Sequence, residues 1–250
     1  MARSIYIASP SAGAGKSTVA LGLIVCLTKV VAKVGVFRPF VDSRDEDPFL
    51  NLLLARSGSA TPAAQCIGVT WDEYHAAPEE SLSRIVDAYR AVARDHDVVI
   101  IDGSDFTDVA GTPELDLNAR VAANIGVPVL LVVSGRDAPE DVRASVEVSV
   151  AEIAENHART VAVIANRCPA ATRGEVAAAL SGIEGLTVTT LPEVPLLSAP
   201  SVREIADAVK GTLIAGDGAL LEREAEGVLV AAMDELPRSE ERRVGKECRS

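Results

Sequence analysis

Short apolar runs alternate with longer segments of helical period along the chain. Most of the runs are continuous and rich in β-branched residues, which is typical of strands buried on both faces of a parallel sheet. The predicted strands are Ser4 to Ala8, Val34 to Phe37, Val98 to Ile101, Val127 to Val133, Thr160 to Ala165 and Leu186 to Leu191.

The segments between these strands place apolar residues three or four positions apart. A helix is predicted from about Lys16 to Lys29, and two more are predicted after Pro78 and Pro139. Strands that alternate with such helices favour an α/β fold, in which helices cover both faces of a parallel sheet. Turn residues interrupt the pattern at 211–218, where a domain boundary is predicted before a last amphipathic stretch.

A glycine-rich turn joins the first predicted strand to the first predicted helix, within SIYIASPSAGAGKSTVALGL. This order, with GKST at the start of the helix, is the context of a P-loop, so the predicted fold is P-loop NTPase-like. Backbone N–H groups of such a loop surround phosphate, the ammonium of Lys16 reaches the terminal phosphates, and the hydroxyl of Ser17 binds Mg²⁺. The predicted phosphate-binding residues are Ser11, Ala12, Gly13, Ala14, Gly15, Lys16, Ser17 and Thr18.

The predicted ligand is ATP or another small phosphate compound, held together with Mg²⁺. Pro10 stands where the P-loop pattern has its first glycine, which makes the motif less specific. The sequence offers no Ser/His/Asp or Cys/His arrangement, so it assigns no catalytic residue.

Three more residues are candidates for the same site because they lie at or after the ends of predicted strands. Asp102 ends DVVIID and is a candidate Mg²⁺ ligand with Ser17, although an Asp before Gly also forms turns. Arg38 follows the second predicted strand and is either a phosphate ligand or a surface residue. Asn166 ends VAVIAN and either contacts a nucleotide base or forms a turn.

Composition and charge limit the classes of partner and the cellular compartment that are expected. The formal net charge of −12 repels nucleic acid backbones and anionic membranes, so neither is expected as a partner. Four scattered cysteines indicate neither a metal site nor a disulfide framework, and no signal peptide is recognised, which favours the cytoplasm. The last residues, RSEERRVGKECRS, resemble a translated sequencing adapter and are interpreted as a non-native, disordered tail.

Several strings in the chain together resemble one family. They are SIYIASPSAGAGKSTVALGL, VGVFRPF, DVVIIDGSDFTD, ELDLNARVAANIGVPVLLVVSG, VAVIANR and LPEVPLLSAPSVREI, in that order. On these strings, residues 2–236 resemble the N-terminal P-loop domain of the long form of phosphate acetyltransferase, which is itself similar to dethiobiotin synthetase.

This resemblance implies a domain organisation and a role. Residues 1–210 would form the P-loop domain, 211–237 would begin a middle domain of the DRTGG type, and 238–250 would be the non-native tail. The parent enzyme interconverts acetyl-CoA plus phosphate and CoA plus acetyl phosphate, in a domain that would be missing from this truncated chain. The chain alone is therefore expected to be inactive in acetyl transfer and to serve homo-oligomer stability and the response to metabolites.

Two other functions are weighed against this one. A dethiobiotin-synthetase-like ATP-dependent ligase would have Lys where this chain has Arg38, and a Glu-Gly-Ala-Gly-Gly run where it has DGSDF from Asp102 onwards. A P-loop ATPase of the partitioning type, which acts as a binding module, would have an extra Lys where this chain has Ser11. These differences favour the phosphate acetyltransferase resemblance.

Overall fold

A seven-stranded parallel sheet organises residues 3–192. The computed structural model describes residues 3–45, 47–104, 114–214 and 216–225. Its strands pair in the order β3-β2-β4-β1-β5-β6-β7. They are β1 (Arg3–Ala8), β2 (Val34–Val41), β3 (Ile67–Thr70), β4 (Val98–Asp102), β5 (Val129–Ser134), β6 (Thr160–Cys168) and β7 (Thr187–Pro192).

Helices connect these strands. They are α1 (Lys16–Leu27), α2 (Pro48–Ser57), α3 (Trp71–Ala76), α4 (Pro78–Asp95), α5 (Glu114–Ile125), α6 (Pro139–Glu155) and α7 (Arg173–Leu180). A short 3-10 helix, Ala63–Gln65, precedes β3. Within the described ranges, no helix combines the length and the apolar character needed to cross a bilayer.

The strand order places helices on both faces of the sheet. From β1 the chain moves through α1 to β2 and through α2 to β3, toward one edge, and then returns through α4 to β4. From β4 it continues through α5, α6 and α7 toward the other edge. Because parallel crossovers are right-handed, reversing the direction reverses the face, so α1 and α2 cover one face and α4 to α7 the other. The predicted architecture is therefore confirmed.

Buried apolar residues of the central strands form the core. In β4, Val99, Ile100 and Ile101 are fully buried, as are Tyr6 and Ile7 in β1. Helix α4 packs the apolar positions of one face on this sheet, while its charged residues remain in solvent. This pattern explains why continuous apolar runs identified the strands and helical spacing identified the long crossover helices.

The six predicted strands are confirmed, although β2 and β6 continue to Val41 and Cys168, beyond their predicted ends, and β3 was missed. Its four residues, IGVT, contain Gly68 in the middle, and this glycine weakens the strand pattern. A Cβ on Gly68 would collide with the backbone oxygen of Pro39 in β2, so close strand packing requires glycine there. Helices α2, α3, α5 and α7 were also not assigned from the sequence.

The chain divides into two compact units, residues 1–193 and 194–250. The described part of the second unit contains a 3-10 helix (Pro195–Ser198), α8 (Val202–Ala208) and another 3-10 helix (Gly218–Glu222). A capping box between Ser201 and Glu204 begins α8, and Ser201 also forms an antiparallel bridge with Glu224. The assignment of 211–237 to a further domain stays a prediction, and the predicted tail, 238–250, lies outside the described residues.

Candidate phosphate-binding site

The carboxyl ends of β1 and β4 lie side by side at the centre of the sheet. Ile7 of β1 is in register with Asp102 of β4. The chain leaves β1 through α1 on one face and leaves β4 toward α5 on the other, so a crevice opens between the two connections. Ligands of open α/β sheets bind in such a crevice.

The loop between β1 and α1 has the backbone shape that its glycines permit. Gly13 and Gly15 have φ angles of 77° and 83°, in the left-handed region that favours glycine. The hydroxyl of buried Ser9 donates to the backbone oxygen of Ser11 at 2.8 Å and stabilises the start of the loop. Pro10 is compatible with this backbone, since the positive φ angles of the described loop occur only at the two glycines.

Lys16 opens α1 and extends its side chain to the end of β4. Its ammonium donates to Asp102 Oδ1 at 2.8 Å and to the backbone oxygen of Gly103 at 2.6 Å. The side chains of Lys16 and Asp102 are 1% and 0% exposed, so this ion pair is fully desolvated. An ion pair in such surroundings has a low net gain, because desolvation opposes the attraction. The pair therefore places two desolvated charges at the crevice.

Arg38 adds a second cation beside Asp102. Its Nε lies 3.4 Å from Asp102 Oδ2, and its Nη1 forms an ion pair with Asp47, the residue that caps the N-terminus of α2. The sequence placed Arg38 after its strand, which was wrong: β2 continues to Val41, and Arg38 lies inside it. The reason is that β3 pairs with this part of β2, so Pro39 does not end the strand.

Asn166 and Arg167 of β6 hold the loop from the other side. Asn166 Nδ2 donates to the backbone oxygen of Ala14 at 2.8 Å, and Arg167 Nη1 donates to that of Gly13 at 2.7 Å. A Cβ on Gly15 would collide with the Asn166 amide, which explains the glycine there. Asn166 does not end its strand as predicted, since β6 continues to Cys168. Arg167 was missed, although it stands in the string VAVIANR.

A buried hydrogen-bond network between β1, α5 and the residues after β4 holds the end of β4 in place. The hydroxyl of Tyr6 donates to Asn118 Oδ1 at 2.6 Å, and the backbone N–H of Ser104 donates to the same oxygen at 3.0 Å. Burial, and then the negative charge of Asp102, raise the pKa of Tyr6, so its hydroxyl remains a donor. Gly103, whose oxygen accepts from Lys16, is thereby fixed between two anchored neighbours.

The remaining predicted residues lie on the loop and the first turn of α1. Ser11, Ala12 and Gly13 are exposed, Ala14 is buried, and Gly15 is half-buried. Ser17 is half-buried and Thr18 is exposed. The structure thus brings the loop, Lys16, Arg38, Asp102 and Asn166 together at one edge. Over the ranges described, no group of three or more His, Cys, Asp or Glu residues could hold a metal ion by itself.

A separate groove of about 1350 Å³ lies at the opposite, amino edge of the sheet. It includes Arg90 and Arg94 of α4, both of which are exposed. Arg94 Nε donates to the backbone oxygen of Arg90 at 3.3 Å in the last turn of the helix, where cations stabilise the helix dipole. This contact gives Arg94 a structural role, and the predicted phosphate-binding residues lie at the carboxyl edge, where we place the candidate site.

Two relatives with established names match most of the chain. It is 27% identical over 258 residues to the phosphate acetyltransferase of Nitratidesulfovibrio vulgaris, a match that covers 93% of this chain and 35% of the relative. The phosphate acetyltransferase of Synechocystis is 25% identical, over 86% of this chain and 33% of its own length. The chain thus spans about one third of the length of these relatives.

Solved structures show the same fold. A plasmid partition protein from Borrelia burgdorferi, bound to AMPPNP, is 16% identical with a TM-score of 0.53, over 86% of this chain and 93% of its own. The 54 kDa signal recognition particle protein of Aeropyrum pernix, in complex with GDP, is 18% identical with a TM-score of 0.51, over 77% and 42%. At these identities the likeness establishes the fold alone.

A family profile decides the membership of the chain. The profile, described as an AAA domain, matches residues 3–201, which include every strand of the sheet and the whole candidate site. The loop between β1 and α1, with Lys16 at the start of the helix, is the P-loop of this fold. Because the profile matches most of this chain, the chain belongs to the AAA domain family.

Proposed function

We propose that this chain is a P-loop domain that binds the phosphates of ATP, or of a similar phosphate compound, together with Mg²⁺. We further propose that it serves as the regulatory domain of a phosphate acetyltransferase. The observation that carries the binding proposal is the buried Lys16 ammonium at the start of α1, paired with Asp102 at the central crevice. Because the start of a helix attracts phosphate and Lys16 adds a positive charge, the crevice suits a polyphosphate.

In this proposal the ligand phosphates replace Asp102 as the partner of Lys16. The loop N–H groups surround the phosphates, and the Lys16 ammonium donates to a terminal phosphate oxygen. Arg38 is within reach of Asp102 and adds a second cation at the same end of the crevice. Asn166 lies against the loop through its bond to Ala14, and we propose that it contacts the rest of the nucleotide.

Mg²⁺ fits the oxygen atoms of the site. It prefers carboxylate, hydroxyl and phosphate oxygens. Asp102 Oδ2 is buried and forms no hydrogen bond with any described residue; Arg38 Nε lies 3.4 Å from it, and Mg²⁺ would take that place beside the oxygen. Ser17 follows Lys16 in the first turn of α1 and supplies a hydroxyl. Asp102 and Ser17 would hold the ion, which would neutralise phosphate charge.

The regulatory role is supported by the relatives. Both are named phosphate acetyltransferase, and the chain matches about one third of each. We assign acetyl transfer between CoA and phosphate to the remaining two thirds of such a protein, and to this domain the response to a phosphate-containing metabolite. The net charge of −12 argues against nucleic acid as a partner. We expect a homo-oligomeric full-length protein in the cytoplasm that acts in acetate metabolism.

Calorimetric titration with Mg²⁺-ATP tests the binding proposal. We expect the wild type to bind, Lys16→Met to bind about ten- to a hundred-fold more weakly through loss of a charge-assisted contact, and Lys29→Ala to bind as the wild type. Lys29 is an exposed lysine beyond the other end of α1 and is the matched control. Lys16→Met leaves the buried carboxylate of Asp102 without its lysine partner. The double variant K16M/D102N, which removes this charge, is therefore titrated as well. Absence of binding of ATP, GTP and pyrophosphate by the folded wild type would contradict the proposal.

A second assay tests the assignment of acetyl transfer to other parts of the relatives. Purified chain is mixed with acetyl-CoA and phosphate, and release of CoA is followed. We expect no turnover above that of a mock purification. Turnover that survives repurification would show that this chain carries the transfer site itself.

A further inference from the structure

The end of β6 is shaped so that one side chain reaches the P-loop. Arg167 has a φ of 61°, a left-handed conformation that is uncommon for residues with a side chain. The pairing of β6 with β7 is irregular between Ala165 and Cys168, at the same place. Such a conformation persists only where its surroundings determine it. Here it points the Arg167 guanidinium at the backbone oxygen of Gly13.

Glu193 stands behind Arg167. Its carboxylate Oε1 lies 3.9 Å from Arg167 Nε and accepts from Arg136 Nε at 2.8 Å. Its backbone N–H donates to the backbone oxygen of Cys168 at 2.8 Å, which ties the end of β7 to the end of β6. Glu193 is also the last residue of the first compact unit. One carboxylate is therefore shared by two arginines, one of which holds the loop.

We propose that Asn166, Arg167 and Glu193 form a clamp that fixes the P-loop in its phosphate-binding shape, with Glu193 as the positioning residue for Arg167. This inference rests on the proposed function and extends it to the control of the same site. For the loop N–H groups to converge on a phosphate, the carbonyl groups must point away from it. The clamp engages two consecutive carbonyls, those of Gly13 and Ala14, in hydrogen bonds from β6, so that neither is free to turn toward a phosphate.

The clamp links the phosphate site to the point where the chain leaves the first unit. A change at Glu193 would alter the position of Arg167, and with it the order of the loop and the affinity for phosphate. Arg167 Nε and Glu193 Oε1 are 3.9 Å apart, beyond hydrogen-bond distance, so the pair contributes little to global stability. Its loss would act on the loop, to which Arg167 is hydrogen-bonded, more than on the fold.

Three variants and two matched controls separate the clamp from an ordinary surface ion pair. The variants are Arg167→Ala, Arg167→Lys and Glu193→Gln. The controls are Arg143→Ala and Glu147→Gln, because Arg143 makes the same kinds of contact elsewhere in the unit. Its Nη1 donates to the backbone oxygen of Ala179 at 2.6 Å and its Nε to Glu147 at 2.8 Å.

The first measurement needs no ligand. The backbone N–H of Val19 donates to the oxygen of Gly15 at 3.1 Å, so the first turn of α1 is anchored on the loop. Hydrogen exchange of peptides that cover residues 9–23 should accelerate several-fold in Arg167→Ala and Glu193→Gln, and remain at the wild-type rate in both controls. Unchanged exchange in Arg167→Ala, or equal acceleration in Arg143→Ala, would overturn the clamp.

The second measurement is titration of the same proteins with Mg²⁺-ATP. Arg167→Ala should bind about ten-fold more weakly and Glu193→Gln a few-fold more weakly, with melting temperatures close to that of the wild type. Arg167→Lys should bind more tightly than Arg167→Ala, because a lysine can reach the backbone oxygen of Gly13. Adding Glu193→Gln to Arg167→Lys should not weaken binding further, because the lysine has no Nε to pair with Glu193. Wild-type affinity in Arg167→Ala would overturn the clamp. A wild type that binds no phosphate ligand would refute the proposed function, while the exchange rates would still decide on the clamp.

Discussion

Two clusters of charge in the first unit have the same composition and different surroundings. At the carboxyl edge, Asp102 accepts from Lys16 at 2.8 Å and lies 3.4 Å from Arg38. On the outer surface, Glu73 accepts from Arg44 at 2.8 Å and from Arg84 at 2.6 Å. Each cluster is one carboxylate between two cations. The side chain of Asp102 is fully buried, whereas that of Glu73 is 31% exposed.

The difference shows that a perturbed carboxylate does not by itself mark a functional site. Hydrogen bonds from Arg84, from the backbone N–H of Thr70 and from Arg44 lower the pKa of Glu73 to about 2. Yet Glu73 forms the capping box of α3 with Thr70, which is a structural role. Asp102 differs in lying fully desolvated at the crevice of the sheet, where, in the proposed function, a ligand replaces it as the partner of Lys16. Burial and position, rather than the presence of two cations beside a carboxylate, distinguish the two clusters.

The largest predicted effect comes from breaking the buried pair. Lys16→Ala leaves Asp102 buried beside Arg38 alone, and removing one partner of a buried pair costs about 3–5 kcal/mol of unfolding free energy. Adding Asp102→Asn should restore much of this loss, because the uncompensated charge is gone. Urea unfolding followed by the fluorescence of Trp71, the single tryptophan, measures both variants. If the Lys16→Ala protein were as stable as the wild type, burial would not distinguish the Asp102 cluster from the Glu73 cluster.

A smaller effect is expected where the buried cluster depends on close packing. A Cβ on Gly103 would lie 2.6 Å from Asn118 Oδ1 and 2.6 Å from the backbone oxygen of Ile7. Gly103→Ala should therefore cost about 1–3 kcal/mol of unfolding free energy through overpacking. The matched control is Gly22→Ala inside α1, where a Cβ meets no atom within 4 Å. That control should gain about 0.5–1 kcal/mol, and a loss in it would question the packing argument.

The smallest effect belongs to the exposed cluster. Glu73→Gln should cost less than about 1 kcal/mol at neutral pH, since solvent screens the partly exposed pairs. The carboxylate has a lowered pKa in the folded state, so its contribution is present above the unfolded value of 4.5 and is lost as the pH falls toward about 2. Stability curves of wild type and variant should therefore converge on acidification through this range. Curves that stay parallel would show that protonation of Glu73 is not coupled to unfolding.

The sequence predicted the framework of the site and missed the contacts that organise it. The strand, the glycine-rich loop and Lys16 are adjacent in the chain, so their local pattern was sufficient. The pairing of Lys16 with Asp102 depends on β4 lying beside β1, an order that no local pattern contains. Arg167 was missed for a similar reason, because its contact with Gly13 depends on β6 and on a backbone conformation that its residue type does not favour.

The central claim is that the crevice exchanges the Lys16–Asp102 pair for phosphate and Mg²⁺. ATP titrations of wild type and Asp102→Asn, each with Mg²⁺ and with a chelator, test it most directly. Without Mg²⁺, Asp102→Asn should bind ATP more tightly than the wild type, because the variant no longer holds Lys16 or repels phosphate. With Mg²⁺, the wild type should gain affinity about ten-fold or more, whereas the variant should gain little. Equal Mg²⁺ dependence in the two proteins, or no ATP binding by either, would contradict the account.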